Sequence, residues 1–161
     1  MDLILWRHAE AEPAREGEDD AARRLTARGQ KQSRKMGEWL DGHLPDNCRI
    51  LSSPAVRCVQ TVEPLGRKFK TDAALASDST AEAMIAASGW PDRREPVLLV
   101  GHQPLLGQVM SVLIAGVKQD WTIRKGNIVW IAQKADEEAE GAMLTTLRVV
   151  LGPELVGKLR G

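Results

Sequence analysis

An arginine and a histidine, Arg7-His8, close the first apolar run of the chain, Leu3-Ile4-Leu5-Trp6, where a buried strand would meet solvent. Far along the chain a second run, Val97-Leu98-Leu99-Val100, ends in Gly101-His102 and passes through Gln103-Pro104 into a new apolar segment. A fourth basic group, Arg57, follows Ser52-Ser53-Pro54-Ala55-Val56, in the first turn of a helix predicted to begin at another strand end. Together these residues suit phosphoryl chemistry. A neutral imidazole nitrogen can attack phosphorus while guanidinium groups hold the equatorial oxygens by paired hydrogen bonds. In open α/β sheets ligands bind beyond the carboxyl ends of strands, where helix amino termini expose unpaired N–H groups. If the strands ending in His8 and His102 are neighbours, both imidazoles face one pocket with Arg7 and Arg57.

Composition bounds what surrounds that pocket. A chain of 161 residues with 43% hydrophobic content can bury one real core, so residues 1–161 are expected to form a single domain. Lys plus Arg and Asp plus Glu both number 22, which excludes the basic bias of a general nucleic-acid or membrane-surface binder. An anion site must therefore be built locally. Cys48 and Cys58 occur without a secretory context and read as buried or idle thiols. The first apolar run is broken by Arg7, and no segment approaches the roughly 18 apolar residues of a membrane span. A soluble cytoplasmic protein is the expectation.

The elements that must position these groups alternate in period between strand-like and helix-like, without repeats or low-complexity linkers, which predicts an α/β fold. After the first strand a polar loop runs through Arg24. Thr26 is then an N-cap for a helix to about Gly42 that carries Met36, Trp39 and Leu40 inward. Arg49–Ser52 is a short strand; Ser53 reads as the next N-cap with Pro54 at the first helical position, and Pro64 should kink or end that helix. A weaker strand is predicted at Thr71–Leu75 and a helix at Thr80–Ser88 ended by Gly89. Val97–Val100 is the clearest buried strand, followed by a helix from Pro104 to Ala115 stopped by Gly116. Asn127–Gln133 and Met143–Val150, split by the acidic stretch Asp136–Gly141, read as an antiparallel pair, and Pro153–Gly161 as a frayed turn or short helix.

Four segments in this order, Arg7-His8-Ala9, Leu25-Thr26-Ala27-Arg28-Gly29, Ser52-Ser53-Pro54 through Arg57 to Gln60-Thr61, and Gly101-His102-Gln103-Pro104, resemble the histidine phosphatase superfamily. The nearest resemblance is to its small SixA-type phosphohistidine phosphatase branch, and it spans nearly the whole chain. An Arg-His pair alone would be weak; four segments at strand-to-helix junctions are specific.

The resemblance implies a mixed, mostly parallel central sheet flanked by helices, a phosphoglycerate mutase-like fold without a large lid insertion. It implies that His8 is the nucleophile that becomes phosphorylated, that Arg7 and Arg57 clamp the phosphate, and that His102 stabilises the transferring group by hydrogen bonding. Arg23 is implied as an additional phosphate or substrate contact. Neither a metal nor another cofactor is needed in this family, and phosphate or sulfate can occupy such a site. Ala9 stands where relatives have glycine, which is tolerated if position 9 needs no positive φ.

Ester-hydrolysing relatives place an acid opposite the nucleophile, and in Ala74–Thr80 only Asp78 is near, about one residue out of register. A weak or missing acid favours a phosphoramidate over an alcohol phosphate. Three readings follow: a phosphohistidine phosphatase acting on a phosphotransfer domain or phosphocarrier protein; a phosphatase of small phosphate esters, with Asp78 or Glu82 as acid; or a non-catalytic phosphate or phosphohistidine binder. Glu16, Glu18, Asp19 and Asp20 read most simply as a solvated loop, Asp78 equally as a helix cap, and His43 as a partner of terminal helix carbonyls. The five tryptophans read as packing residues, with Trp90 or Trp121 as candidates for the pocket rim.

Overall fold

Leu3, Ile4, Leu5 and Trp6 are all buried, because the strand they form, β1 (Asp2–Arg7), lies inside the sheet with apolar layers on both faces. Period-two alternation sends Ile4 and Trp6 to one layer and Leu3 and Leu5 to the other. The computed structural model describes residues 1–159. The other strands are β2 (Arg49–Ser52), β3 (Lys70–Thr71), β4 (Val97–Gly101), β5 (Ile128–Ala135) and β6 (Met143–Leu151), in the order β3-β2-β4-β1-β5-β6. The first four run parallel and β5 and β6 are antiparallel additions, so the sheet is mixed and mostly parallel as expected.

Helices α1 (Ala27–His43), α2 (Val56–Val62) and α5 (Pro153–Leu159) cover one face, where Met36, Leu40, Cys58, Val62 and Val156 join Ile4 and Trp6. Helices α3 (Ala81–Ser88) and α4 (Leu105–Ala115) cover the other, with Met84, Leu106 and Val109 against Leu3, Leu5 and Leu99. The three-layer arrangement buries both faces of the parallel strands. Local stop and start signals act as read: Thr26 Oγ1 accepts from Gly29 N at 3.0 Å, Thr80 Oγ1 from Ala83 N at 3.1 Å, and Gly89 and Gly116 end α3 and α4 with left-handed backbone. Thr80, rather than Asp78, therefore caps α3. His43 Nδ1 bonds the Trp39 carbonyl at 2.7 Å near the end of α1.

Three elements differ from expectation. The strand predicted at Thr71–Leu75 ends at Thr71, because Asp72 accepts from Ala74 N at 2.9 Å and caps a 3-10 turn over Ala73–Leu75. Ser53 does not cap α2, which starts at Val56 behind Ala55; the Ser53 hydroxyl is engaged with His102 and Ala55 N instead. Beyond Val62 the chain tightens into a 3-10 turn, Glu63–Leu65, around Pro64. The tail forms helix α5, and the predicted segment's last two positions lie outside the described residues.

Gly29 shows what the Leu-Thr segment is for. A Cβ at this position would lie 1.9 Å from the Glu10 carbonyl oxygen, so only glycine lets the first turn of α1 press against the chain just after His8. Thr26 N bonds the same carbonyl at 3.0 Å, and Gln60 Oε1 accepts from Leu25 N at 2.8 Å. Alanine is favoured over glycine in helices by about 1 kcal/mol, yet Gly29→Ala is expected to lose about 2–3 kcal/mol net because a backbone carbonyl must move. Denaturant unfolding measures this; a stabilised variant would contradict the packing.

Candidate active site

The side chains named from the strand ends meet because Arg7 stands opposite Gly101 in the parallel β1–β4 pair. The register continues one residue further, with His8 N donating to Gly101 O at 3.1 Å. His8 and His102 therefore leave the sheet side by side, ring centroids 5.4 Å apart and planes at 60°. Strand β2 lies on the other side of β4, so α2 starts over the same edge and delivers Arg57. Arg7, His8, Arg57 and His102 line one cavity of about 410 Å³ with Ala11, Asp20, Arg23, Ser77, Gln103 and Lys125. Larger hollows of about 610 and 660 Å³, beside β2–β3 and on the β5–β6 face, contain no histidine.

Each imidazole is held in one tautomer. His8 Nδ1 donates to the Ala9 carbonyl at 2.8 Å, which leaves the Nε2 lone pair for chemistry. Ala9 is itself fixed: its N–H donates to Thr61 Oγ1 at 3.0 Å, and Thr61 bonds the Arg57 carbonyl at 2.7 Å. Among the described residues no residue other than glycine has positive φ, so alanine fits position 9 without strain. Around His102, Arg57 Nη2 donates to Nδ1 at 3.2 Å, so the ring proton sits on Nε2 and points to Ser53 Oγ at 2.8 Å. Cys58 Sγ lies 3.5 Å from the same nitrogen; burial pushes its thiol up to about 12, against the pull of Arg57. Both cysteines are free.

The arginines are the electrostatic frame. Arg57 is 3% exposed and donates from Nη1 to the Asp20 carbonyl at 2.8 Å and from Nη2 to Asp20 Oδ2 at 3.0 Å. Arg7 Nη1 donates to the Ile123 carbonyl at 2.8 Å. The Nε atoms of both arginines are buried without a hydrogen-bond partner, a condition shared among the described residues only by Asn127 Oδ1. Burying a polar group unpaired is costly, so these donors suit an anion in the cavity. Burial pulls the His8 imidazole down to about 3, only partly opposed by its bond to Ala9, and His102, Arg57 and Arg7 add to the drop. Burial and then Arg57 pull His102 down to about 4. Both rings are neutral at physiological pH.

Arg23 reaches the cavity wall, tied by Nε to Asp20 Oδ1 at 2.8 Å and by Nη1 to the Glu12 carbonyl at 2.8 Å. Asp78 is exposed in the turn before α3, and Ser77 is the residue of that segment that lines the cavity. Glu82 is exposed on α3 and paired with Lys118 at 3.1 Å. Neither Trp90 nor Trp121 lines the cavity; Trp90 packs against the apolar layer of Leu3, Leu5 and Met84, and Trp121 offers its carbonyl to Gln103 Nε2 at 2.9 Å.

Asp20 is the main residue that sequence reasoning missed. It lies in an exposed loop as expected but also carries two guanidinium groups, and although partial burial works against its charge, Arg23 and Arg57 hold its carboxyl below the usual range. Lys125 was missed too, since the segment before β5 has no period; its neighbour Gly126 bonds the Arg7 and His8 carbonyls at 3.1 and 3.0 Å. Among the described residues no group of three or more His, Cys, Asp and Glu side chains is arranged to hold a metal ion. None of the described helices is long and apolar enough to cross a membrane.

Both histidines bind protons less readily than in the unfolded chain, where imidazoles titrate near 6.5. Between about pH 6.5 and about pH 4 the unfolded chain holds more protons, so unfolding free energy falls as pH falls through that window. Imidazole NMR shifts of His8 and His102 in the free protein are expected to stay at neutral values from about pH 8 to about pH 5. A midpoint near 6.5 for either ring would contradict the burial assigned to it.

Residues 3–82 match the histidine phosphatase superfamily (branch 1). The chain is 30% identical over 124 residues to the phosphohistidine phosphatase SixA of Escherichia coli, covering 72% of this chain and 76% of that protein. It is 31% identical over 130 residues to a SixA homolog of Haemophilus influenzae, covering 70% and 77% respectively. In fold it is similar to a solved structure of the protein histidine phosphatase SixA complexed with tungstate, with a TM-score of 0.77 at 24% identity over 97% of this chain and 99% of that one. Fold, ordered motifs and sequence identity agree that the chain belongs to the histidine phosphatase superfamily, as a SixA-type phosphatase.

Proposed function

We propose that this phosphatase hydrolyses phosphohistidine presented by another protein, through a phosphoryl group carried on His8, and that it does so in the cytoplasm, in keeping with its two unpaired thiols. The observation that carries the mechanism is the His8 tautomer: Nδ1–H is spent on Ala9 O, so a neutral Nε2 lone pair faces a cavity framed by Arg7 and Arg57. Attack of Nε2 on phosphorus forms one P–N bond as the substrate's P–N bond breaks. The electron pair stays on the substrate imidazole, which departs neutral when its other ring nitrogen carries a proton. Water then attacks the phosphorus on His8, whose Nδ1–H lets it leave as neutral imidazole, and the product carries both water protons as dihydrogen phosphate. Arg7 and Arg57 supply donors for the charge on the equatorial oxygens, and His102, whose Nδ1 accepts from Arg57 Nη2 and whose Nε2–H is taken by Ser53, holds that guanidinium in place. No general acid or base is required in either step.

The leaving group is read from Ser77. An alcohol phosphate needs a proton donor at the wall opposite the nucleophile, and here Ser77 is the residue of that segment that lines the cavity, while Asp78 and Glu82 do not line it. Asp20 is the one carboxylate lining the cavity, and it is held ionised by two arginines. A phosphoramidate, which leaves without a dedicated acid, is the substrate class this wall suits. The open cavity edge, with no lid between α2 and β4 beyond short turns and α3, suits a phosphoryl group carried on a protein surface such as a phosphotransfer domain or phosphocarrier. The neutral, oriented nucleophile favours turnover over simple binding.

With a phosphohistidine protein and a panel of phosphate esters as substrates, turnover is expected to favour the phosphohistidine by at least about 10²-fold, the usual worth of a general acid. His8→Ala is expected to lose more than about 10³-fold of the phosphohistidine activity. Comparable rates on esters would reject the leaving-group reading, and undiminished activity in the variant would reject His8 as nucleophile.

A further inference from the structure

Arg57 already has an anionic partner in the cavity. The Asp20 carboxylate is shared between Arg57 Nη2 at 3.0 Å and Arg23 Nε at 2.8 Å, and the Asp20 carbonyl takes Arg57 Nη1 at 2.8 Å. One residue thus occupies both outer nitrogens of the fork. This is not an ordinary surface ion pair, because the Arg57 side chain is 4% exposed while that of Asp20 is 53% exposed. An anion at the mouth rests on a cation in the wall. The carboxylate sits in a short 3-10 turn, Asp20–Ala22, capped by Asp19 and tied back to the segment after β1 through Arg23 Nη1 and the Glu12 carbonyl at 2.8 Å. The Ala11–Leu25 bridge closes the base of this loop.

A phosphoryl group seated for attack by His8 calls on the donors that Asp20 holds. Guanidinium groups bind carboxylate and phosphate with the same fork geometry, so the two compete directly. Of the charged side chains lining the cavity, Arg7, Arg23, Arg57 and Lys125 are cations and Asp20 is the single anion. Its charge lies close enough to a bound phosphate for repulsion to matter in a site partly screened from water.

We propose that Asp20 is a built-in competitor of the phosphoryl group: its carboxylate keeps the Arg57 fork oriented in the free protein, yields Nη2 to the incoming phosphoryl group while remaining on Arg23, and by its charge speeds the release of inorganic phosphate. The inference rests on the phosphate-site reading above. Asp20 is a positioning residue that acts through Arg57, and it sets how tightly the product is held.

Inorganic phosphate is the probe, titrated by calorimetry and as a product inhibitor against the intact protein. Asp20→Asn keeps the size and one acceptor but removes the charge, and is expected to bind phosphate about 5- to 10-fold more tightly, equivalent to about 1–1.4 kcal/mol. Asp20→Glu keeps the charge and is expected to stay within about twofold of the parent protein. A merely structural Asp20 would do the opposite, weakening phosphate binding in Asp20→Asn, and that result, or an unchanged affinity, overturns the competitor role. Arg57→Ala separates the two levels. Lost phosphate binding there, with no tightening in Asp20→Asn, rejects competition alone, whereas binding that survives Arg57→Ala rejects the phosphate site and the competition together.

Discussion

Two strands far apart in the chain end at the same level because β1 and β4 pair in parallel with Arg7 opposite Gly101. Everything chemical in the molecule depends on that register. A slip of one residue would turn every side chain of β1 to the other face, exchanging Ile4 and Trp6 for Leu3 and Leu5 in cores of different shape. The apolar layers on both faces thus lock the histidine pair as well as the fold. Parallel order adds the third component, since β2 beside β4 aims α2 at the same edge and brings Arg57 to His102.

The electrostatics follow from this convergence. Two arginines packed at one sheet edge are desolvated, and the structure shares them among two carbonyls, an imidazole and one carboxylate while leaving both Nε atoms unpartnered. Burial first, and then this field, disfavours a further positive charge on either imidazole, so the histidines stay neutral. Neutrality is the condition for nucleophilic attack, and the cations that add to it are those proposed to bind the phosphoryl oxygens. The site is therefore built for a group that is anionic at its oxygens and electrophilic at its centre.

Much of this was legible in the sequence because the strand ends carry strong local punctuation. Apolar runs that stop at Arg7-His8 and Gly101-His102, and glycine or threonine at helix ends, depend on near neighbours only. The missed parts are long-range or irregular. Asp20 meets Arg57 across 37 positions, and nothing in an acidic loop distinguishes the residue that finds a buried cation from those that face water. Ser77 rather than Asp78 faces the cavity because a 3-10 turn capped by Asp72 sets the register of a segment that was read as a strand. Ser53 resembled a helix cap because its other partner, His102, lies 49 positions away.

The link from fold to the proposed chemistry is the single bond from His8 Nδ1 to the Ala9 carbonyl, since it leaves Nε2 as the nitrogen with a free lone pair. Rapid quenching of the protein during turnover of a phosphohistidine protein, followed by alkaline ³¹P NMR and peptide mass spectrometry, reads that choice directly. The mechanism predicts a phosphoryl group on Nε2 of His8. Phosphorylation at Nδ1 of His8 or on His102, or turnover with no phosphorylated protein intermediate under conditions where chemistry outpaces hydrolysis, would contradict it.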